Sequence, residues 1–196
     1  MAVRWHNDAM ATHVALLRGI NVGGRNKVPM AELRTMVSGL GFADVSTYIQ
    51  SGNVLFSAAG TDTDEIASAI AAGLTATFCL DVGVVVVTRD ELAAVISRNP
   101  YPDEANHKCL HTVFMAAEPS RERLDQLAAV QAAVREKKGG RDSLTVIGRV
   151  FYLHTPDGFR DSELARALAR LTAGGTARNW ATSTKLLELC DTRIGS

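Results

Sequence analysis

Residues 18–29 bring three glycines and three cations together with no acidic residue among them. Glycines can direct successive backbone N–H groups at one point, where they bind an anion. A helical pattern begins at Pro29, and a helix N-terminus adds about half a positive charge. The stretch is not a P-loop, because Val28 rather than Ser or Thr follows Lys27, and it is not a dinucleotide-binding G-x-G-x-x-G. We predict an anion-binding loop; a tight structural turn with solvated cations is the alternative.

Two further segments carry groups suited to ligand binding. Gln50, Ser51 and Asn53 lie at a predicted hairpin tip, where the side-chain amides would bind a ligand or a base edge. The alternative is a plain turn, for which these residue types are already sufficient. In the third segment, residues 178–180 with Lys185, the Trp180 indole would stack on a base while Arg178 and Lys185 bind phosphate. Alternatively, Trp180 would lie in the core. If this segment packs near the first loop, all three form one cationic pocket. The predicted ligand-binding residues are Arg18, Asn21, Gly23, Gly24, Arg25, Lys27, Gln50, Ser51, Asn53, Arg178, Asn179, Trp180 and Lys185.

Other reactive side chains do not assemble into a recognisable catalytic set. His107, Cys109 and His111 alternate, so they would share one face of an extended segment and could ligate zinc. A fourth ligand is not evident nearby, and the spacing is not that of a zinc finger. His154 stands alone and is predicted to be either structural or exposed, and no carboxylate pair or Ser-His-Asp set is apparent. We predict no metal and no cofactor, and we leave catalysis open.

Composition indicates an ordinary globular protein without a general excess of charge. The 196 residues include 21 basic and 21 acidic side chains, which argues against a uniformly basic surface but not against a local patch. Three scattered cysteines do not form a disulfide framework, so a cytoplasmic location is predicted. No apolar run approaches the ~20 residues of a membrane span, so no membrane partner is expected. Residues 1–11 lack an apolar signal-peptide core and are predicted to be a loose extension.

The periodicity of the remaining residues predicts an α+β protein. Over residues 13–88 the order is strand, helix, strand, strand, helix, strand, which is that of a ferredoxin-like (α/β plait) domain. After a short helix and an irregular stretch at 99–108, the order repeats imperfectly, because the final strand is doubtful. Residues 178–180 are predicted to be extended, with Thr182 or Ser183 capping the last helix. The predicted divisions are an extension at 1–11, a ferredoxin-like domain at 12–88, a connecting region at 89–110, and a second ferredoxin-like α+β domain at 111–196.

Four motifs resemble a bacterial family, the domain of unknown function 1697 (DUF1697). They are LRGINVGG at 17–24, NKVPM at 26–30, YIQSGNV at 48–54, and RNW at 178–180 with Lys185. The resemblance extends from about His13 to the C-terminus and implies a ferredoxin-like fold. Because the family has no established activity, it implies no reaction and no site residues.

The motifs favour a protein that binds a phosphate-bearing ligand, either a nucleotide or a single-stranded nucleic acid. The nucleic-acid version is the weaker one, since Tyr48 and Phe56 are the only rings in the first predicted hairpin, and RNA-binding sheets use aromatic side chains. One alternative is an enzyme acting on a small phosphorylated metabolite. Another is a partner-binding or assembly module, and its protein partners stay unidentified.

Overall fold

The computed structural model describes residues 11–60, 62–137, 140–172 and 174–192. The predicted extension lies outside these residues except for Ala11. The described chain divides into two compact units. The first comprises the residues up to Ala93 together with those from Lys185 onward, and the second runs from Ala94 to Thr184.

Seven elements begin in the first unit: β1 (His13–Leu17), α1 (Met30–Gly39), β2 (Ala43–Tyr48), β3 (Asn53–Ser57), α2 (Thr63–Phe78), β4 (Val84–Thr88) and α3 (Arg89–Ser97). The strands form an antiparallel sheet in the order β2-β3-β1-β4. β1 ends at Leu17, because Gly19 adopts a φ of +65° and the extended backbone stops before it. Since Leu16 pairs with Asn53, the loop after β1 and the loop before β3 lie at the same end of the sheet.

The second unit repeats this arrangement with β5 (Leu110–Phe114), α4 (Arg121–Glu136), β6 (Ser143–Ile147), β7 (Val150–His154), α5 (Glu163–Leu171) and β8 (Thr176–Asn179), followed by α6 (Trp180–Asp191). Its sheet is antiparallel in the order β6-β7-β5-β8. The doubtful final strand is therefore present. Two antiparallel sheets and six helices within the described residues confirm the α+β class.

The start of α6 corrects the sequence prediction. Trp180 is the first residue of the helix rather than the end of an extended segment. The cap is Asn179, whose Oδ1 accepts the Thr182 N–H at 2.8 Å, and neither Thr182 nor Ser183 caps the helix. β8 pairs with β5 as far as Asn179, so this pairing decides where the helix begins.

In the strands β1, β3 and β4, residues on both faces of the first sheet are buried, whereas β2 is half-buried. On one face Ala15, Leu17 and Phe56 pack against α1 and α2, whose contributions include Leu33 and Ile70. The opposite face is equally apolar, and its members are each at most 2% exposed: Val14, Leu16, Leu55, Val85 and Val87. Among the described residues, no helix combines the length and apolarity needed to cross a bilayer.

Candidate functional site

The glycine-rich loop, residues 18–29, folds back on itself as a small closed turn. The Asn21 N–H donates to the Asn26 carbonyl at 3.0 Å, and the Arg25 N–H donates to the Val22 carbonyl at 3.1 Å. Gly23 and Gly24 occupy the tip with φ of +58° and +76°, a region that glycine enters without steric cost. The glycines are therefore required by the turn itself.

The Asn21 side chain clamps this loop to its surroundings. Its Oδ1 accepts the Val28 N–H at 2.9 Å, and its Nδ2 donates to the Val28 carbonyl at 2.9 Å and to the Gln50 carbonyl at 3.0 Å. Asn26 adds a bond from its Nδ2 to the Gly19 carbonyl at 3.1 Å. Both asparagines have positive φ, which asparagine tolerates better than most residues. Their side chains stabilise the loop and are engaged within the chain.

The hairpin tip between β2 and β3 packs directly against the base of the glycine-rich loop. Gly52 is buried with a φ of +77°, and a Cβ there would lie 2.8 Å from Leu17 Cβ and 2.9 Å from Ile20 Cγ1. Its carbonyl accepts the Leu17 N–H at 2.8 Å. Asn53 is fully buried, and its Nδ2 donates to the Tyr48 carbonyl and to Ser51 Oγ, both at 3.1 Å. The structure thus brings two of the three predicted segments together.

The groups that face solvent on this combined surface are few. Arg25 and Lys27 are exposed, as are Gly23, Gly24 and Gln50, whereas Arg18 is half-buried. Within the described part of the chain, the N–H groups of Gly23 and Gly24 donate to no acceptor. Two full positive charges and two unengaged amides therefore lie on one loop, which is a suitable arrangement for an anion.

Two aliphatic side chains stand beside these polar groups. Val22 in the glycine-rich loop is 60% exposed, and Ile49 at the hairpin tip is 50% exposed. Ile49 also has a φ of +49°, which is an outlier for a β-branched residue and costs on the order of 1–3 kcal/mol. The sequence analysis missed this residue, because a β-branched side chain favours extended backbone and gave no sign of a left-handed conformation.

The third predicted segment begins in the second unit. Arg178 is 8% exposed, and its guanidinium donates to Thr176 Oγ1 at 2.7 Å and to the Ala177 carbonyl at 2.9 Å. Burial lowers the pKa of Arg178 to about 10. Trp180 is also buried. Lys185 belongs to the first unit and pairs with Glu188 at 2.7 Å.

A histidine–carboxylate pair in the second unit corrects the isolated position assigned to His154. Its Nε2 lies 2.8 Å from Glu104 Oε2, and its ring packs at 5.0 Å against Tyr101, whose hydroxyl contacts Thr145 Oγ1 at 3.1 Å. The hydrogen bond from His154 lowers the pKa of Glu104. These contacts hold the irregular stretch after α3 against β6 and β7. The partners are 50 residues apart, so no local pattern in the sequence reveals them.

The three residues considered as zinc ligands, His107, Cys109 and His111, do not form a cluster of three in the described structure. Cys109 is buried and its Sγ lies 3.8 Å from the Pro156 carbonyl, whereas the His111 ring stacks on Phe159 at 4.0 Å. Burial raises the pKa of Cys109 and lowers that of His111 to about 4. Nowhere in residues 11–60, 62–137, 140–172 and 174–192 do three or more candidate metal ligands cluster.

This architecture defines the chain as an α+β protein built on two four-stranded antiparallel sheets. Residues 10–152 match the model of a family described as a protein of unknown function, DUF1697. The chain belongs to that family. The motif at residues 178–180 lies beyond the matched region.

A solved structure supports the same architecture. The chain is similar to the conserved bacterial protein SP0830 from Streptococcus pneumoniae, with 23% identity and a TM-score of 0.70 over 94% of this chain and 100% of that one. At this level of identity the likeness shows the fold. No curated protein matches the chain.

Proposed function

We propose that the first unit, which we assign to the ferredoxin-like class on its strand order, binds a phosphate-bearing ligand at the glycine-rich loop. The ligand is a nucleotide or a single-stranded nucleic acid. One observation carries the proposal: exposed Arg25 and Lys27 accompany the unengaged N–H groups of Gly23 and Gly24 on a loop that is already closed.

The loop supplies the positive charge and the N–H donors for an anion, and the N-terminus of α1 contributes less. Backbone amides at a turn form fixed donors, and the cations supply full charges that long side chains can bring to a phosphate. The first turn of α1 contains Glu32, whose charge opposes an anion at that helix terminus. The proposal therefore rests on residues 23–27.

The burial of the first sheet directs binding to its end. Many RNA-binding domains of similar element order present aromatic side chains on an open sheet face. Here Phe56 is fully buried on one face, and Leu16 and Leu55 are buried on the other. A ligand would therefore contact the loops.

A salt titration tests the proposal. Fluorescence anisotropy of a labelled oligouridylate, competed by unlabelled nucleotides, measures affinity for the wild type and for the double variant Arg25→Ala/Lys27→Ala. Loss of two phosphate contacts should raise Kd about tenfold or more and reduce the slope of log Kd against log salt by about 1.4, because each contact with a single strand contributes about 0.7.

The matched control removes the same charge from the second unit. Lys108 and Arg135 are exposed, so Lys108→Ala/Arg135→Ala should bind as the wild type does. Equal losses in the two double variants would assign binding to net charge and reject the loop site. No binding by the wild type of any nucleotide or oligonucleotide would reject the function.

We also propose a cytoplasmic setting. All three cysteines are free thiols, with Cys109 and Cys190 buried and Cys79 exposed. A reducing compartment suits a protein whose thiols are all unpaired.

A further inference from the structure

Ile49 occupies a position that neither its backbone preference nor core packing explains. Its φ of +49° is one that asparagine or glycine adopts more readily. Half of the side chain remains exposed, so burial does not offset the strain. Backbone strain of this kind concentrates at functional sites, where the side chain must point in a set direction.

Val22 places a second aliphatic side chain on the neighbouring loop. Asn21 and Gln50 are joined by a hydrogen bond of 3.0 Å, and each is the chain neighbour of one exposed aliphatic residue. The two loop tips are thus fixed to each other at their bases. Two of the exposed large apolar side chains of the described residues belong to this bonded pair of loops.

The glycine-rich loop that carries Val22 is cationic. Arg25 and Lys27 follow Val22 on the same loop, and residues 18–29 contain no acid. The complementary ligand carries negative charge next to an apolar face. Nucleotides combine these two properties, because each phosphate is joined through a sugar to a base whose flat face is apolar.

We infer that the ligand is a single-stranded nucleic acid, with a backbone phosphate at residues 23–27 and an adjacent base packed on Ile49 and Val22. The inference rests on the proposed function and deepens it. The contacting groups are exposed loop tips, where a mononucleotide would keep most of its surface in water, whereas a strand gains from several successive contacts. A duplex is excluded because its bases are stacked inside the helix.

The decisive experiment compares two polyanions, one of which carries bases and the other of which does not. An oligouridylate of about 12 nucleotides and an inorganic polyphosphate of similar charge are titrated against the wild type, Ile49→Asn and Val22→Ser. Each substitution should weaken oligouridylate binding about 3- to 10-fold and leave polyphosphate binding unchanged. Ile49→Asn should also melt at a temperature no lower than the wild type, because asparagine relieves the strained φ.

A matched control removes an exposed aliphatic side chain elsewhere in the first unit. Leu40 is 39% exposed and contacts α2 near Gly73, so Leu40→Asn should leave both affinities unchanged. The inference would be overturned if oligouridylate affinity is unaltered in Ile49→Asn and Val22→Ser but lowered in Arg25→Ala/Lys27→Ala. That result would leave the proposed function standing. Equal weakening with polyphosphate would also overturn the inference, because the aliphatic residues would then only shape the loop.

Vesicles of phosphatidylcholine and phosphatidylserine form the third arm. If they bind in an Ile49-dependent way and the oligouridylate does not, the surface docks on an anionic bilayer and the inference is wrong. If nucleotides bind the wild type and the oligouridylate does not, only the inference is wrong. If neither the oligouridylate nor any nucleotide binds, the proposed function fails together with the inference.

Discussion

Gly52 packs the hairpin tip against the base of the glycine-rich loop. We therefore expect Gly52→Ala to be strongly destabilising. Two effects act together. A left-handed conformation costs an L-residue about 1–2 kcal/mol. The new methyl group would lie 2.8 Å from Leu17 Cβ and 2.9 Å from Ile20 Cγ1, both within a buried core. Overpacking of this kind costs about 1–3 kcal/mol.

The unfolded chain reduces the net effect. Alanine has less backbone freedom than glycine, which stabilises the variant by about 0.4–1 kcal/mol. We therefore expect a loss of about 2–4 kcal/mol in the free energy of unfolding. Urea denaturation followed by circular dichroism measures the loss, and hydrogen exchange on peptides covering residues 13–57 assigns it to the first unit.

Gly24→Ala separates strain from packing. Gly24 has a φ of +76°, within one degree of Gly52, but a Cβ there would meet nothing within 4 Å. Gly24→Ala should lower the free energy of unfolding by only about 1 kcal/mol. This is the cost of the strained φ minus the stabilisation from the less flexible unfolded chain. If Gly52→Ala costs no more than Gly24→Ala, the hairpin tip does not pack on the glycine-rich loop and the reasoning is refuted.

Two further predictions concern ionisable groups. The pKa of Glu104 is lowered by His154 in the folded state, so the pair stabilises the protein above the ordinary pKa of 4.5, and this is lost as pH falls through the folded value. The difference in melting temperature between the wild type and Glu104→Gln should accordingly shrink as the pH falls below 4.5; a difference that stays constant or grows on acidification would contradict this. Among the thiols, Cys79 is exposed, while burial raises the pKa of Cys190 to about 11. A thiol reagent should therefore modify Cys79 first, and equal rates at all three cysteines would contradict the structure.

The periodicity that predicts the helices is a short-range pattern, and α2 illustrates it. Ile66, Ile70 and Leu74 recur on one helical face and are buried in α2. Asp62 caps that helix by accepting the N–H groups of Asp64 and Glu65. Periodicity and capping depend on residues within one or two turns, so a single sequence carries them in full.

Long-range pairing decided the features that the sequence analysis missed. Asn179, Thr182 and Ser183 are all good caps, and the pairing of β8 with β5 selects the first of them. His154 meets Glu104 only because β7 and the irregular stretch converge. Ile49 has its positive φ at the tip of a hairpin whose Gly52 packs against another loop, and no local pattern indicates that φ.

The closed glycine-rich loop has a kinetic consequence for the binding that we propose. Its turn is bonded within itself, and Asn21 ties its base to Val28 and to Gln50 before any ligand arrives. Such a loop loses little conformational entropy on binding and needs no closing step. Its association rate would then be governed by the rate of encounter, which ionic strength controls, and its residence time by the contacts at the loop tips.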